Sequence, residues 1–157
     1  MPSLKPSASA VQTIPFLYRL LIQTIEPIFT IGGSYVGLTQ LNFYLHSMTR
    51  GAVTLAPNAN FIGTQLVGGW MFFAFTEAVV LRAIDDLNVW QWIIYGMLLS
   101  DVAYCHSVAQ AVGGWGEFVK VQNWTVDDWT VTLMTLPFVL SRVCIALGIG
   151  LKKAKRE

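Results

Sequence analysis

The sequence is poor in charge. Asp, Glu, Lys and Arg make up 12% of the 157 residues, about half the share usual in soluble domains. The formal net charge is only +1, which argues against a nucleic-acid partner, since that partner needs a strongly basic face. Cysteine is nearly missing: Cys105 and Cys144 fall in different apolar runs, so neither a disulfide framework nor a metal-ligand spacing is expected. No phosphate-cradling glycine loop, HExxH pair or nucleophile elbow occurs, and the expectation is chemistry without a metal or a cofactor. The opening stretch MPSLKPSASAVQT is too polar for a signal peptide, so the first apolar run is expected to stay in the protein. There is no internal repeat and no heptad seam.

Hydrophobic residues, at 54%, are what the chain has in excess. They gather into four long runs, which predicts an all-α, integral membrane four-helix bundle in one domain. Residues 1–13 read as a polar N-terminal tail, 14–151 as the four-span domain and 152–157 as a basic tail. The spans are expected near 15–38, 61–81, 91–112 and 130–151, separated by loops over 39–59 and 113–129 and by a short turn after Arg82.

The third span, QWIIYGMLLSDVAYCHSVAQAV, carries Asp101 near its middle. An ionisable side chain at that depth costs roughly 2.5–3.5 kcal/mol on insertion scales, so it is expected to face the protein interior and to have a function. At about 100° per residue, Ile94, Met97, Asp101, Tyr104 and Cys105 share a face, while His106 points about 140° away from Asp101. In the first span the same arithmetic aligns Arg19, Gln23, Glu26, Thr30, Gly33 and Gly37. Gly33-x-x-x-Gly37 is the small-residue spacing that lets helices approach closely. Pro27 should kink this span, because it lacks the amide that would bond the Gln23 carbonyl. In the second span Leu66, Trp70, Phe73 and Glu77 share a face, and in the fourth Arg142 lies with Thr135, Phe138 and Ile145, near the interruption at Pro137. Asp127 and Asp128 read as a solvated or capping pair before that span.

Five charges therefore fall inside the spans: Arg19, Glu26, Glu77, Asp101 and Arg142. Three acids against two bases cannot all pair. Glu77 has no cation near it in sequence except the interfacial Arg82, so at least one carboxyl must be protonated, held by neutral donors or opened to a wet cavity. Burial favours the neutral acid, and a carboxylic acid beside a carboxylate held ionised by arginine divides acid and base roles between them. Glu77, Asp101 and Glu26 are the candidate catalytic residues, with Asp101 and Glu77 the preferred pair. Tyr104, His106, Arg142, Arg19, Trp70 and Phe73 are the candidate substrate-binding residues. The same charges would also serve as plain interhelical locks, Arg142 with Asp101 and Arg19 with Glu26, with no chemistry at all.

The Lys/Arg bias places both termini in the cytosol. Lys153 and Lys155 stand where a dilysine endoplasmic-reticulum retrieval signal would, and Asn123-Trp124-Thr125 forms a glycosylation sequon on the opposite side. The expected partners are a lipophilic small molecule and membrane lipids. Whether the chain pairs as a homodimer is left open by its sequence.

IEPIFTIGGSYVG in the first span, TEAVVLRAIDDLNVWQWIIYGMLLSDVAYCHSV across the second and third, and NWTVDDWTVTL before the fourth resemble a fungal family of small four-helix membrane proteins. Within it the similarity runs to the membrane epoxide hydrolases and cyclases of polyene-pyrone pathways of the aurovertin and citreoviridin type. The resemblance implies opening and cyclisation of a lipophilic polyepoxide, with Glu26, Glu77 and Asp101 as the matching acids and His106 in the same block. A looser similarity, in logic rather than motif, is to emopamil-binding-type sterol isomerases and membrane terpene cyclases. These leave two alternatives: cyclisation or double-bond isomerisation of a prenylated substrate, and a non-enzymatic lipid-binding or assembly subunit.

Overall fold

The computed structural model describes residues 8–152, and all the regular structure among them is helical. Helix α1 is the single turn Ala10–Thr13. Helix α2 covers residues 16–39 as Phe16–Leu20, a π-helical turn Leu21–Ile25 and the longer Glu26–Thr39. Helix α3 is Leu41–Met48, and α4 is Pro57–Ala83, with a second π-helical turn at Thr76–Val80. Helix α5 is Leu87–Ala111, α6 the short Trp115–Phe118 and α7 Val126–Ala146. Helices α4 and α7 are both long and apolar enough to cross a bilayer.

Local chemistry fixes the helix starts. Asp86 caps α5 by accepting from the Val89 amide at 3.0 Å. Thr125 caps α7 in a reciprocal box with Asp128, whose carboxylate accepts from the Thr125 amide at 2.7 Å. Asp128 also binds Arg50 at 2.9 Å, so the acid foreseen as a cap ties the 49–52 turn to the start of α7 as well.

Helix α2 packs along α4, α5 packs along α7, and the π turns of α2 and α4 meet each other and bring α2 onto α7. One close approach sets the α2–α4 distance. A Cβ on Gly37 would stand 2.9 Å from Val67 and 3.1 Å from the Trp70 ring, and one on Gly63 would stand 2.6 Å from Leu41. Gly33 behaves otherwise: nothing lies within 4 Å of its missing Cβ. Only half of the expected small-residue pair is a helix contact.

Several boundaries differ from expectation. The stretch read as the end of a polar tail is built into the structure from Ala8 onward. The Leu87 amide donates to Ala8, Ser9 and Val11 donate to Asp85, and Ala10 and Ile14 are fully buried. The expected 39–59 loop contains α3, where Leu41, Tyr44, Leu45 and Met48 repeat at helical spacing and turn inward. The 113–129 loop holds α6 and a 3-10 turn, Val121–Asn123, joined by the ring contacts Trp115–Phe118, Phe118–Trp124 and Trp124–Trp129. The dilysine pair Lys153 and Lys155 lies outside the described residues.

The core gathers Ile14, Ile22, Leu81, Trp90, Ile94, Met97 and Ile145 at the end of the bundle where α1 sits. Trp90 closes it by donating to the Ile84 carbonyl at 2.8 Å. The outer faces are apolar too. Trp92 is 75% exposed, Leu99 74% and Phe72 69%, and an apolar exterior of this kind is rare on soluble monomers.

Candidate functional site

Four helices meet at one guanidinium. Arg142 on α7 is 1% exposed and donates to three carboxylates carried by three other helices. Its Nη1 lies 2.9 Å from each oxygen of Asp101 on α5. Its Nη2 donates to Oε1 of Glu26 on α2 at 2.5 Å and to Oε1 of Glu77 on α4 at 2.7 Å. The Phe73 ring centroid stands 5.8 Å from the guanidinium carbon, within cation–π range. Oε2 of Glu26, Oε2 of Glu77 and Nε of Arg142 are buried with no hydrogen-bond partner among the described residues.

The two π turns explain how these groups meet. Glu26 comes directly after Leu21–Ile25, its amide bonding the Leu21 carbonyl five residues back, and Glu77 lies within Thr76–Val80. A π turn inserts one extra residue into the helical repeat and is frequent at functional sites. It also absorbs Pro27, which is buried just beyond the first of them. The inserted residue rotates the helix before the turn by about 100° relative to the helix after it. For that reason Arg19, aligned with Glu26 by simple helical counting, is not at the cluster; its Nε donates to the Ile14 carbonyl at 3.3 Å. The expected Arg19–Glu26 pair is absent among the described residues, and Arg142 takes both Glu26 and Glu77 instead. Arg82 turns away from Glu77 to the Ala78 carbonyl and the Thr24 hydroxyl.

Above the cluster lies a cavity of about 640 Å³, within the range of small-molecule sites. Glu26, Asp101 and Arg142 form its floor. Phe29, Trp70, Phe73, Tyr104 and Phe138 wall it, with Leu66 and Met134. Gly33 and Gly69 face it with no neighbour within 4 Å of either missing Cβ, and so leave its width open. At the far end stand the neutral polar groups of Tyr44, Gln65, Ser107 and Thr135. Tyr44 meets Trp70 edge-on with centroids 5.3 Å apart, and the Tyr104 hydroxyl donates to the Met48 sulfur at 4.0 Å. Along α7, Thr135 precedes Arg142 by seven residues, which puts the two ends roughly 10 Å apart.

The candidate residues thus divide. Glu26, Asp101, Arg142, Tyr104, Trp70 and Phe73 line the cavity; Glu77 is bound to Arg142 but fully buried behind it and lines nothing. His106 is exposed and outside the lining, its Nδ1 accepting from Trp115 Nε1 at 3.0 Å. Its face, about 140° from Asp101 by helical counting, looks away from the cavity. Arg19 is likewise outside. Tyr44, Gln65, Ser100 and Phe29 carry no sequence signal for a site. Tyr44 falls in an expected loop, and the others are ordinary residues on helix faces whose partners only the packing supplies. Among the described residues no group of His, Cys, Asp and Glu is arranged to hold a metal ion.

Fold and site together define a small all-helical protein built on a buried arginine–carboxylate centre beneath an aromatic cavity. The model of the domain of unknown function DUF7704 matches residues 11–152, nearly the whole of that structure, and the chain belongs to this family. No curated protein and no solved structure matches it.

Proposed function

We propose that this chain is a four-span membrane enzyme of the endoplasmic reticulum that opens an epoxide on a lipophilic polyketide by acid–base catalysis. The observation that carries the reading is the cavity, with its aromatic walls and a floor of two carboxyls held by one guanidinium. The apolar exterior supports the bilayer setting, and helices α2 and α5, at about 36 Å each, are long enough to join α4 and α7 in crossing it. The resemblance to polyene-pyrone epoxide hydrolases and cyclases supplies the substrate class.

Position assigns the roles. Asp101 accepts from Nη1 with both oxygens and opens onto the cavity as the base. Glu26 reaches the cavity from the other side and is the acid. A proton passes from Glu26 to the epoxide oxygen as the carbon–oxygen bond breaks. Water, or an internal hydroxyl, attacks the carbon and gives its proton to Asp101. Return of that proton from Asp101 to Glu26 resets the site, and no other bond in the protein changes. Losing an acid or base of this kind lowers turnover by about 100-fold.

The test is incubation of the purified protein with a lipophilic bis-epoxide that carries a free hydroxyl, in oxygen-labelled water. Hydrolysis puts label in a diol; internal cyclisation yields an unlabelled ring product without the epoxide. Either product, lost in Glu26→Gln and Asp101→Asn with folding retained, supports the reading. Epoxide left unconsumed sinks it. The ring of Phe29, Trp70, Phe73 and Phe138 would equally stabilise a developing carbocation, so the second reading is cyclisation or isomerisation of a prenylated olefin, recognised by an unlabelled product of unchanged mass.

A further inference from the structure

Glu77 takes no part in the chemistry so far, yet it is the most deeply buried acid of the cluster. We infer that Glu26 and Glu77 share one proton, and that Glu77 is a positioning residue that keeps Glu26 in its proton-bearing form. The inference rests on the acid–base reading of the site and adds to it the reason a third carboxyl is present.

Three observations carry it. The first is charge. Arg142 neutralises one carboxylate, whereas three converge on it. The groups facing Glu77 are Glu26 from α2 and Arg142 from α7, with Asp101 of α5 on the far side of the same guanidinium. Arg82, on its own helix, and Arg19 are bonded elsewhere. Several uncompensated negative charges cannot be held in so dry a place, so at least one proton must reside there.

The second is the pattern of donors. Asp101 has both oxygens satisfied by Nη1. Glu26 and Glu77 divide Nη2 between their Oε1 atoms, which brings the two carboxyls within hydrogen-bonding reach of each other. Each keeps a buried Oε2 without a donor among the described residues. Buried acceptors lacking a donor are costly, and one proton held between the two carboxyls makes them a donor–acceptor pair.

The third is construction. The two π turns pack against each other; Glu77 lies within one, Glu26 directly follows the other, and neither turn holds any other acid. Only Glu26 of the pair touches the cavity. The shared proton therefore has one outlet, through Glu26. Each donation from the pair is matched by the proton Asp101 receives, so the cluster's net charge is the same before and after a turnover.

The experiment is infrared spectroscopy of the purified full-length protein in lipid nanodiscs, with no ligand present. At neutral pH the wild type is expected to show the C=O stretch of a protonated carboxyl, shifted by deuterium exchange. Glu26→Gln and Glu77→Gln should each abolish it, because an amide donor then satisfies the remaining carboxylate; Asp101→Asn should keep it. In activity assays, Glu77→Gln should move the alkaline limb of kcat to lower pH without changing KM. A wild type without the band, or a band that survives Glu77→Gln, overturns the inference, and the wild-type spectrum alone decides should the variants not fold. A band that behaves as expected in a protein that consumes no epoxide leaves the shared proton standing and rejects the proposed reaction.

Discussion

Nη1 of Arg142 donates to both carboxylate oxygens of Asp101 at 2.9 Å, across 41 residues of sequence. That contact joins the middle of α5 to the last turns of α7. The guanidinium is planar and donates in two directions at once, so it reaches Glu26 and Glu77 from its other nitrogen without giving up Asp101. A lysine ammonium is a point charge and lacks that fork.

Arg142→Met should therefore be among the most damaging substitutions in the chain. It leaves three buried carboxyls without a counter-ion, and breaking a buried ion pair from one side costs about 3–5 kcal/mol. Arg142→Lys should recover part of the stability and little of the turnover. Thermal unfolding in detergent, read beside epoxide consumption, checks both; an Arg142→Met protein as stable as wild type would mean the cluster does not hold the helices together.

Gly33 and Gly37 lie about one turn apart in α2, yet they should respond oppositely to substitution. Gly33→Leu places a side chain in the cavity where nothing lies within 4 Å of the missing Cβ. It should leave the melting temperature near wild type and raise KM at least about tenfold, equivalent to about 1.4 kcal/mol of binding. Gly37→Ala drives a methyl to 2.9 Å from Val67, and overpacking of this kind costs about 1–3 kcal/mol. Its loss should appear in stability, with kcat retained in the folded fraction. Equal effects of the two on KM would contradict the cavity's position.

Asp85 gives a pH dependence outside the helices. The Val11 amide and then the Ser9 hydroxyl, both donating to its carboxylate, hold it below the usual aspartate range. The folded-state value is depressed, so the stabilisation is fully present above the unfolded value near about 3.9 and is lost as pH falls through the folded one. Residues 8–13 should resist proteolysis at neutral pH and become cleavable only under acid below that range. Asp85→Asn should make them cleavable at neutral pH.

His106→Ala and Arg19→Gln should leave turnover within about twofold of wild type, as expected of substitutions away from buried networks. Steady-state kinetics decides this. A large loss of kcat in either variant would show that a second part of the molecule reaches the substrate.

The legible and the illegible parts of this sequence separate along physical lines. Helical periodicity is enough to place Leu66, Trp70 and Phe73 on one wall and Asp101 with Tyr104 on another, because unbroken α-helix keeps its phase. It is not enough for Arg19, whose register is broken by the π turn at Leu21–Ile25. No residue pattern announces such a turn; it forms where packing rewards an extra residue. Glu77 looks unpaired in the sequence because its cation lies 65 positions away on another helix, a distance that counting along one helix cannot bridge. Tyr44 is hidden for a related reason: eight residues between two turns read as loop until Leu41 and Met48 are seen to pack inward.

Ribosomes make this chain from its amino end, so α2, α4 and α5 exist before α7 does. Each of those three carries an acid that Arg142 alone will later receive. Until residue 142 emerges, the earlier helices can pack their apolar faces, but their carboxyls lack the guanidinium and have to travel as neutral acids or keep to water. Helix α7 thus acts as the keystone of an arch: it brings the guanidinium that all three acids share, and a product truncated before Val126 should be one that cellular quality control removes.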